Sequence, residues 1–323
     1  MKKYHFLVLL IAMFHPFRLH AQQTAQTFVQ QTHYLLYLPE HYADDTSARW
    51  PLVLFLHGSG EVGDSIQWVA RNGPPKLAQA GKKFPFILVS PQSADYLWHP
   101  NDLMSLLSGI KKQYRVDNER IYLTGLSMGG FGTWAMAEEY PDEFAAILPL
   151  SGGGDTTQAW KLRYLPVWCF HGLKDNVVPP SNSIDMIRAV RQYNPGAKLT
   201  LYPEAGHDSW TTTYNNDTIY TWMLAQNKST RKRILLPDSE LNDYRGVYVG
   251  KGTDTVYLTV KDNAILATWQ GNTTLLIPAK KDLFFLDEHS SADACFERDT
   301  DGEVSKLVIL ANEKEIYIKI PKK

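Results

Sequence analysis

The stretch "RIYLTGLSMGGFGTWAMA" (residues 120–137) passes from a β-branched and aromatic run, through Gly-Leu-Ser-Met-Gly, into a helical pattern. Residues 125–129 fit G-x-S-x-G, with the strand ending near Gly125 and a helix starting near Met128. So tight a corner needs small residues on either side of Ser127, and Gly125 and Gly129 meet that need. Such a turn lifts the Ser127 hydroxyl above the carboxyl end of a sheet, where α/β folds bind ligands. The helix N-terminus adds a positive partial charge that favours a nearby oxyanion. A corner is a poor place to gain stability, so a serine there reads as a nucleophile.

A hydroxyl attacks only when a base takes its proton, and the base is usually a histidine held by a carboxylate. With this motif the chain order is Ser, acid, His. "VWCFHGLKDNVVPP" places Asp175 in the loop after one apolar strand, and "LTLYPEAGHDSW" places His207 after the next. Asp155 and Asp208 compete for the role of acid. Asp155 lies one strand earlier, and a side chain adjacent to His207 diverges from it. His171 reads as a strand-end residue, packed or hydrogen-bonded. Acyl transfer also needs two N–H donors for the developing oxyanion, each worth roughly 3–4 kcal/mol. Met128, after the nucleophile, supplies one. Ser59 in "LFLHGSGEVGD" (54–64) supplies the other, with Gly60 as the alternative and His57 as a residue that holds the loop.

Around this motif, strand-like and helix-like stretches alternate from about residue 33 to 226. "PLVLFLHG" (51–58), "FPFILVSPQ" (84–92), "FAAILPLSG" (144–152), "VWCFHG" (167–172) and "AKLTLYPEAGH" (197–207) are apolar runs of strand type. Runs apolar throughout imply strands covered on both faces, as in a parallel sheet. Helices are expected over 101–115, where Leu103, Leu106, Leu107, Ile110 and Tyr114 share a face, over 128–140, and over 181–193 with Ser181 as cap. The fold class is therefore α/β, with a doubly wound, mostly parallel sheet.

After a polar stretch the texture changes. "GVYVG", "TVYLTVKD", "AILATWQG", "TTLLIPA", "DLFFLD", "ACFERD", "KLVILA" and "EIYIKI" are short strands separated by turn signals, which read as a small antiparallel β-domain or barrel. The expected organisation is a signal peptide over 1–21, a catalytic domain over 22–230, a linker over 231–242 and an all-β accessory domain over 243–323. The leader is read from Lys2 and Lys3, the apolar run Phe6 to Phe14 and small Ala21. That run is shorter than the about 20 residues a membrane helix needs, so no membrane span is expected and the location is periplasmic or extracellular.

Composition narrows the partners. With 44% hydrophobic residues, 21% charged residues and a net charge of −1, the chain can bury a core and carries no basic surface for nucleic acid. Cys169 and Cys295 fall in separate domains and read as unpaired thiols. No His/Cys cluster has metal spacing, so neither metal nor cofactor is expected. Among the nine Trp, Trp98 and Trp210 fall in loops on the catalytic rim and are candidates for lining the pocket, whereas Trp134 reads as core.

Together "LHGSGEVGD", "RIYLTGLSMGGFGTW", "VWCFHGLKDNVVP" and "YPEAGHDSW" resemble secreted bacterial α/β-hydrolase esterases of the feruloyl-esterase, polyhydroxybutyrate-depolymerase and dienelactone-hydrolase type. The resemblance spans roughly residues 30–226 and extends to the phospholipase/carboxylesterase group. It implies the same roles for Ser127, Asp175 and His207, and for Ser59 and Met128. It also implies an ester substrate, a small molecule or a polysaccharide carrying feruloyl or acetyl groups. Residues 240–323 are similar, through "FERDTDGEVSKLVI", to a β-domain appended to bacterial serine hydrolases. A prolyl-oligopeptidase-like peptidase and a binding protein on a hydrolase scaffold remain the alternatives, and oligomeric state is not legible.

Overall fold

A computed structural model describes residues 31–228, 233–261, 264–286, 291–311 and 313–321. The expected signal peptide, and the first part of the expected linker, lie outside these residues. Seven strands form the first sheet: β1 (Tyr34–Tyr37), β2 (Trp50–Leu56), β3 (Ile87–Pro91), β4 (Val116–Leu126), β5 (Ala146–Leu150), β6 (Trp168–Gly172) and β7 (Lys198–Tyr202), in the order β1-β3-β2-β4-β5-β6-β7. β1 pairs antiparallel with β3; the other pairings are parallel. The order reverses between β2 and β4, and a crevice forms where the loops after these two strands diverge.

The strands read as continuous apolar runs because both faces are covered. Leu52, Leu54 and Leu56 of β2 enter one core with Leu103, Leu107 and Ile110 of α2 (Pro100–Gln113). Trp134 and Met136 of α3 (Met128–Glu139) and Met186, Ile187 and Val190 of α4 (Ser181–Arg191) complete that core. Val53 and Phe55, which alternate with those leucines, enter the second core. There they meet Leu77 of α1 (Gly73–Gln79), Tyr214 of α5 (Trp210–Tyr214) and Ile219, Tyr220 and Met223 of α6 (Asp217–Leu224). Ser181 is the first helical residue of α4 and not its cap; Pro180 holds the cap position, since its fixed φ suits the entry to a helix.

The expected linker contains structure. Asp238–Tyr244 is a helix, α7, with acidic residues in its first turn. Its Leu241 and Tyr244, three apart and on one face, are wholly buried. They enter a closed antiparallel barrel: β8 (Gly246–Val249), β9 (Thr255–Lys261), β10 (Ala264–Trp269), β11 (Asn272–Lys280), β12 (Leu283–Phe285), β13 (Asp293–Arg298), β14 (Val304–Leu310) and β15 (Lys314–Lys319). Pairing of β15 with β8 closes it, as full closure removes the exposed edges of an open sheet. Tyr244 sits with its ring 4.6 Å from Phe296 and 4.9 Å from Phe284. Its hydroxyl donates to Asp282 Oδ1 and accepts from the Asp282 N–H.

The barrel and the α/β layers belong to one compact unit. Arg163, after the turn that follows β5, donates Nε–H to Asp293 Oδ2 of β13 at 2.7 Å, and both side chains are buried, at 7% and 1% exposure. The guanidinium also reaches the carbonyls of Trp160, Ser291 and Leu310. Trp160 packs with Val308 and Leu310 beside it. Ser291 N–H donates to Asp142 beyond the C-terminal end of α3 at 3.0 Å. Cys169 and Cys295 are both free thiols.

Glu138 in α3 is buried, and its carboxylate accepts the Asp155 N–H at 3.0 Å. Burial pushes its carboxyl from 4.5 up to about 8. Between those values the unfolded chain has released this proton while the folded chain keeps it. The contribution of Glu138 to stability therefore falls as pH rises through that interval and levels off above it. Glu138→Gln is expected to remove that contribution and to stabilise the fold at pH 8 by about 4 kcal/mol, while changing little at pH 4. Urea midpoints of the two proteins at both pH values check this.

Candidate active site

The corner after β4 shows why its residues are what they are. Ser127 has φ 54° and ψ −117°, a strained conformation for a residue with a side chain. A Cβ on Gly125 would stand 2.3 Å from the Gly129 carbonyl oxygen, and one on Gly129 would stand 2.0 Å from that of Leu56. Helix α3 can cross the sheet this closely only with glycine at both positions. The turn is tied down by the Ser127 N–H to the Leu150 carbonyl, 2.9 Å, and by the Phe131 N–H to the Ser127 carbonyl, 3.0 Å.

Ser127, His207 and Asp175 come together, although 80 and 32 residues separate the pairs. Asp175 Oδ2 lies 2.7 Å from His207 Nδ1. A carboxylate only accepts, so Nδ1 carries the hydrogen and Nε2 faces the Ser127 hydroxyl, 2.9 Å away, as acceptor. Asp175 Oδ1 accepts the N–H groups of Val177 and Val178, each at 2.9 Å. Burial raises the Asp175 carboxyl, but the bonds from His207, Val178 and Val177 outweigh it and hold the group below the usual carboxylate range. It is thus ionised at neutral pH. The competing carboxylates are engaged locally: Asp155 accepts from Thr157 and Asp208 from Thr211.

His207 is held from behind. Ser151, itself at φ 47°, donates its hydroxyl to the His207 carbonyl at 3.1 Å and touches the Ser209 hydroxyl at 2.8 Å. The Trp210 ring stands edge-on to the imidazole, 5.1 Å between centroids.

Ser59 opens a single turn, Ser59–Glu61, directly after β2. His57 beneath it is fully buried; Nδ1–H donates to the Gly58 carbonyl at 2.6 Å and Nε2 accepts the Ser93 N–H at 3.0 Å. Burial lowers its pKa to about 4, so it is neutral. Glu61 Oε2 accepts the Gly58 N–H at 3.1 Å and Oε1 accepts from Asn72 at 2.9 Å. This clamp from Glu61 was not anticipated from the sequence.

A cavity of about 390 Å³ adjoins the nucleophile, lined by Ser59, Met128, Trp98, Tyr96, Leu97 and Phe131 among others. The expected oxyanion donors Ser59 and Met128 and the expected pocket residue Trp98 are among its lining residues. Trp98 donates Nε1–H to the His57 carbonyl at 3.1 Å. Gly60 and Trp210 are not among its lining residues. Tyr96 (72% exposed), Leu97 (62%) and Phe131 (40%) are apolar side chains left open to solvent at its mouth. For Tyr96 and Leu97 the sequence carries a faint signal in "YLWHP", of which the reading takes up only the tryptophan; Phe131 stands in the helical pattern after the serine.

Strand order, the serine corner and the crevice at the reversal of the sheet define an α/β-hydrolase. Residues 79–231, somewhat less than half of the chain, match the model of the dienelactone hydrolase family, and over that stretch the α/β layers are similar to it. A bifunctional acetylxylan esterase/xylanase of Neocallimastix patriciarum is 28% identical over 121 residues, 36% of this chain and 17% of that protein. A probable feruloyl esterase C of Aspergillus terreus is 27% identical over 172 residues, 50% of this chain and 61% of that one. The chain thus spans only part of the length of these relatives. Among solved structures, the crystal structure of a thermostable esterase superposes with TM-score 0.53 at 28% identity, covering 60% of this chain and 59% of that chain.

Proposed function

We propose that the chain is an exported serine carboxylesterase acting through Ser127, His207 and Asp175 on acyl groups, feruloyl or acetyl, carried by plant polysaccharide. The observation that carries this reading is the hydrogen-bonded line Ser127–His207–Asp175 at the edge of an apolar cavity. His207 Nε2 takes the Ser127 proton as Oγ attacks the ester carbonyl. Asp175 holds the imidazole in the tautomer that can accept and offsets its charge once it has done so. The N–H groups of Ser59 and Met128 receive the oxyanion, with the α3 N-terminus behind Met128. His207 then returns the proton to the leaving alcohol, and water repeats the sequence on the acyl-enzyme.

Acetyl and feruloyl groups make different demands on the cavity. Its volume falls within the range of small-molecule sites, and the aromatic rings of Tyr96, Trp98 and Phe131 offer faces against which a planar acyl group stacks. Export rests on the Lys2–Lys3 start and the apolar run that follows. The test is a panel of acetyl, butyryl and feruloyl aryl esters beside peptide amides, with fluorophosphonate labelling of the same preparation. Turnover of esters and a single label on Ser127 are expected. Faster cleavage of the amides, or no label, overturns the reading.

A further inference from the structure

His171 is placed within β6, four residues before Asp175, and its side chain is wholly buried. Nε2 lies 3.1 Å from Asp175 Oδ2 and 3.0 Å from the Val178 carbonyl oxygen. Both are acceptors when the carboxylate is ionised, so Nε2 carries a hydrogen and donates it. On the other side of the ring, Nδ1 faces the Ser183 hydroxyl of α4 at 2.7 Å, and Ser183 Oγ donates to the Gly152 carbonyl at 2.8 Å. The imidazole thus meets the 175–178 loop at one nitrogen and α4 at the other, and Ser183 in turn touches the Gly152 carbonyl. Oδ2 of Asp175 is shared between two imidazoles, His207 Nδ1 at 2.7 Å and His171 Nε2 at 3.1 Å.

We propose that His171 is a positioning residue for Asp175, its Nε2–H fixing Oδ2 in the direction that His207 requires. The proposal rests on the reading of Ser127, His207 and Asp175 as the triad. The last torsion of an aspartate is broad and, by itself, poorly determined. Val177 and Val178 fix Oδ1; a donor on Oδ2 other than His207 fixes the plane even while His207 gives up and regains charge. A leucine would fill the same volume in a buried strand without this bond. What distinguishes His171 from a packing residue is thus one N–H, shared between Asp175 Oδ2 and the Val178 carbonyl.

His171→Leu and His171→Gln separate the two roles, because the glutamine amide can place an N–H near the site of Nε2 and leucine cannot. Two readouts are taken: kcat and KM on p-nitrophenyl acetate, and the rate at which a fluorophosphonate labels Ser127. For His171→Leu a loss of about ten- to a hundred-fold is expected in kcat and in the labelling rate, with KM unchanged. His171→Gln recovers most of it. Equal losses in the two variants, a loss falling on KM, or parental rates in His171→Leu overturn the proposal. Should His171→Leu not fold, Ser183→Ala decides: a several-fold drop in kcat supports the proposal and a parental kcat overturns it. A parent that neither turns over ester nor takes the label refutes the esterase reading itself, which is a different result from any of these.

Discussion

Replacing Ser127 by alanine is expected to lower kcat about a million-fold while the fold survives. The change removes one oxygen and keeps Cβ, so the strained backbone at φ 54° is no worse accommodated than before. Neither glycine contact beneath the corner is altered, since Gly125 and Gly129 meet main-chain atoms only. His207 loses its 2.9 Å partner, but its bond to Asp175 and the grip of Ser151 on its carbonyl remain. Residual turnover, some thousand-fold above the uncatalysed rate, would come from the oxyanion donors and the cavity. The measurement is kcat of the purified variant on an aryl ester, beside its thermal unfolding curve. A variant keeping more than about one part in a hundred of parental kcat would show that another group attacks the ester.

Asp293→Ala is expected to be the most destabilising single change at the junction of barrel and α/β layers, by about 3–5 kcal/mol. It strips a guanidinium that is 7% exposed of the carboxylate lying 2.7 Å from it. Carbonyls of Trp160, Ser291 and Leu310 still receive its N–H groups, yet a buried cation without its counter-charge costs more than those bonds return. For a chain of this length the loss corresponds to a fall in Tm of roughly 4–7 °C. Calorimetry on the variant checks it, and Arg163→Met combined with Asp293→Leu should recover a substantial part, because apolar isosteres avoid desolvating charge altogether. A Tm within about 2 °C of the parent for Asp293→Ala would mean that water reaches the pair in solution.

Much of this architecture could be read beforehand where a strong local rule applied. The run Leu52–Leu56 announced a strand covered on both faces, and the two glycines around Ser127 announced a corner. Asp175 and His207 were legible because each follows an apolar strand in the order the motif demands. The parts that escaped have weak local signals. α7 lies in a stretch dominated by Pro237, Asp238, Ser239 and Glu240, and only Leu241 and Tyr244 reveal that one face is buried. β1 is four residues long and half-buried, without the apolar run that marks its neighbours. The mouth of the cavity escaped because composition does not tell which of Tyr96, Leu97 and Phe131 stay outside the core. The contact of His171 with Asp175 depends on a turn that folds the Asp175 carboxylate back onto the His171 ring, so that one oxygen meets both His171 and His207, and no spacing rule encodes that.

The attachment of the barrel beyond the far end of α3 sets its distance from the serine corner. Twelve helical residues put about 18 Å between Ser127 and the contacts made at Asp142. The helix acts as a strut: the accessory module is moored at its tail while the reactive hydroxyl stands at its head. The mooring of the barrel thus lies about three helical turns away from the Ser127 hydroxyl.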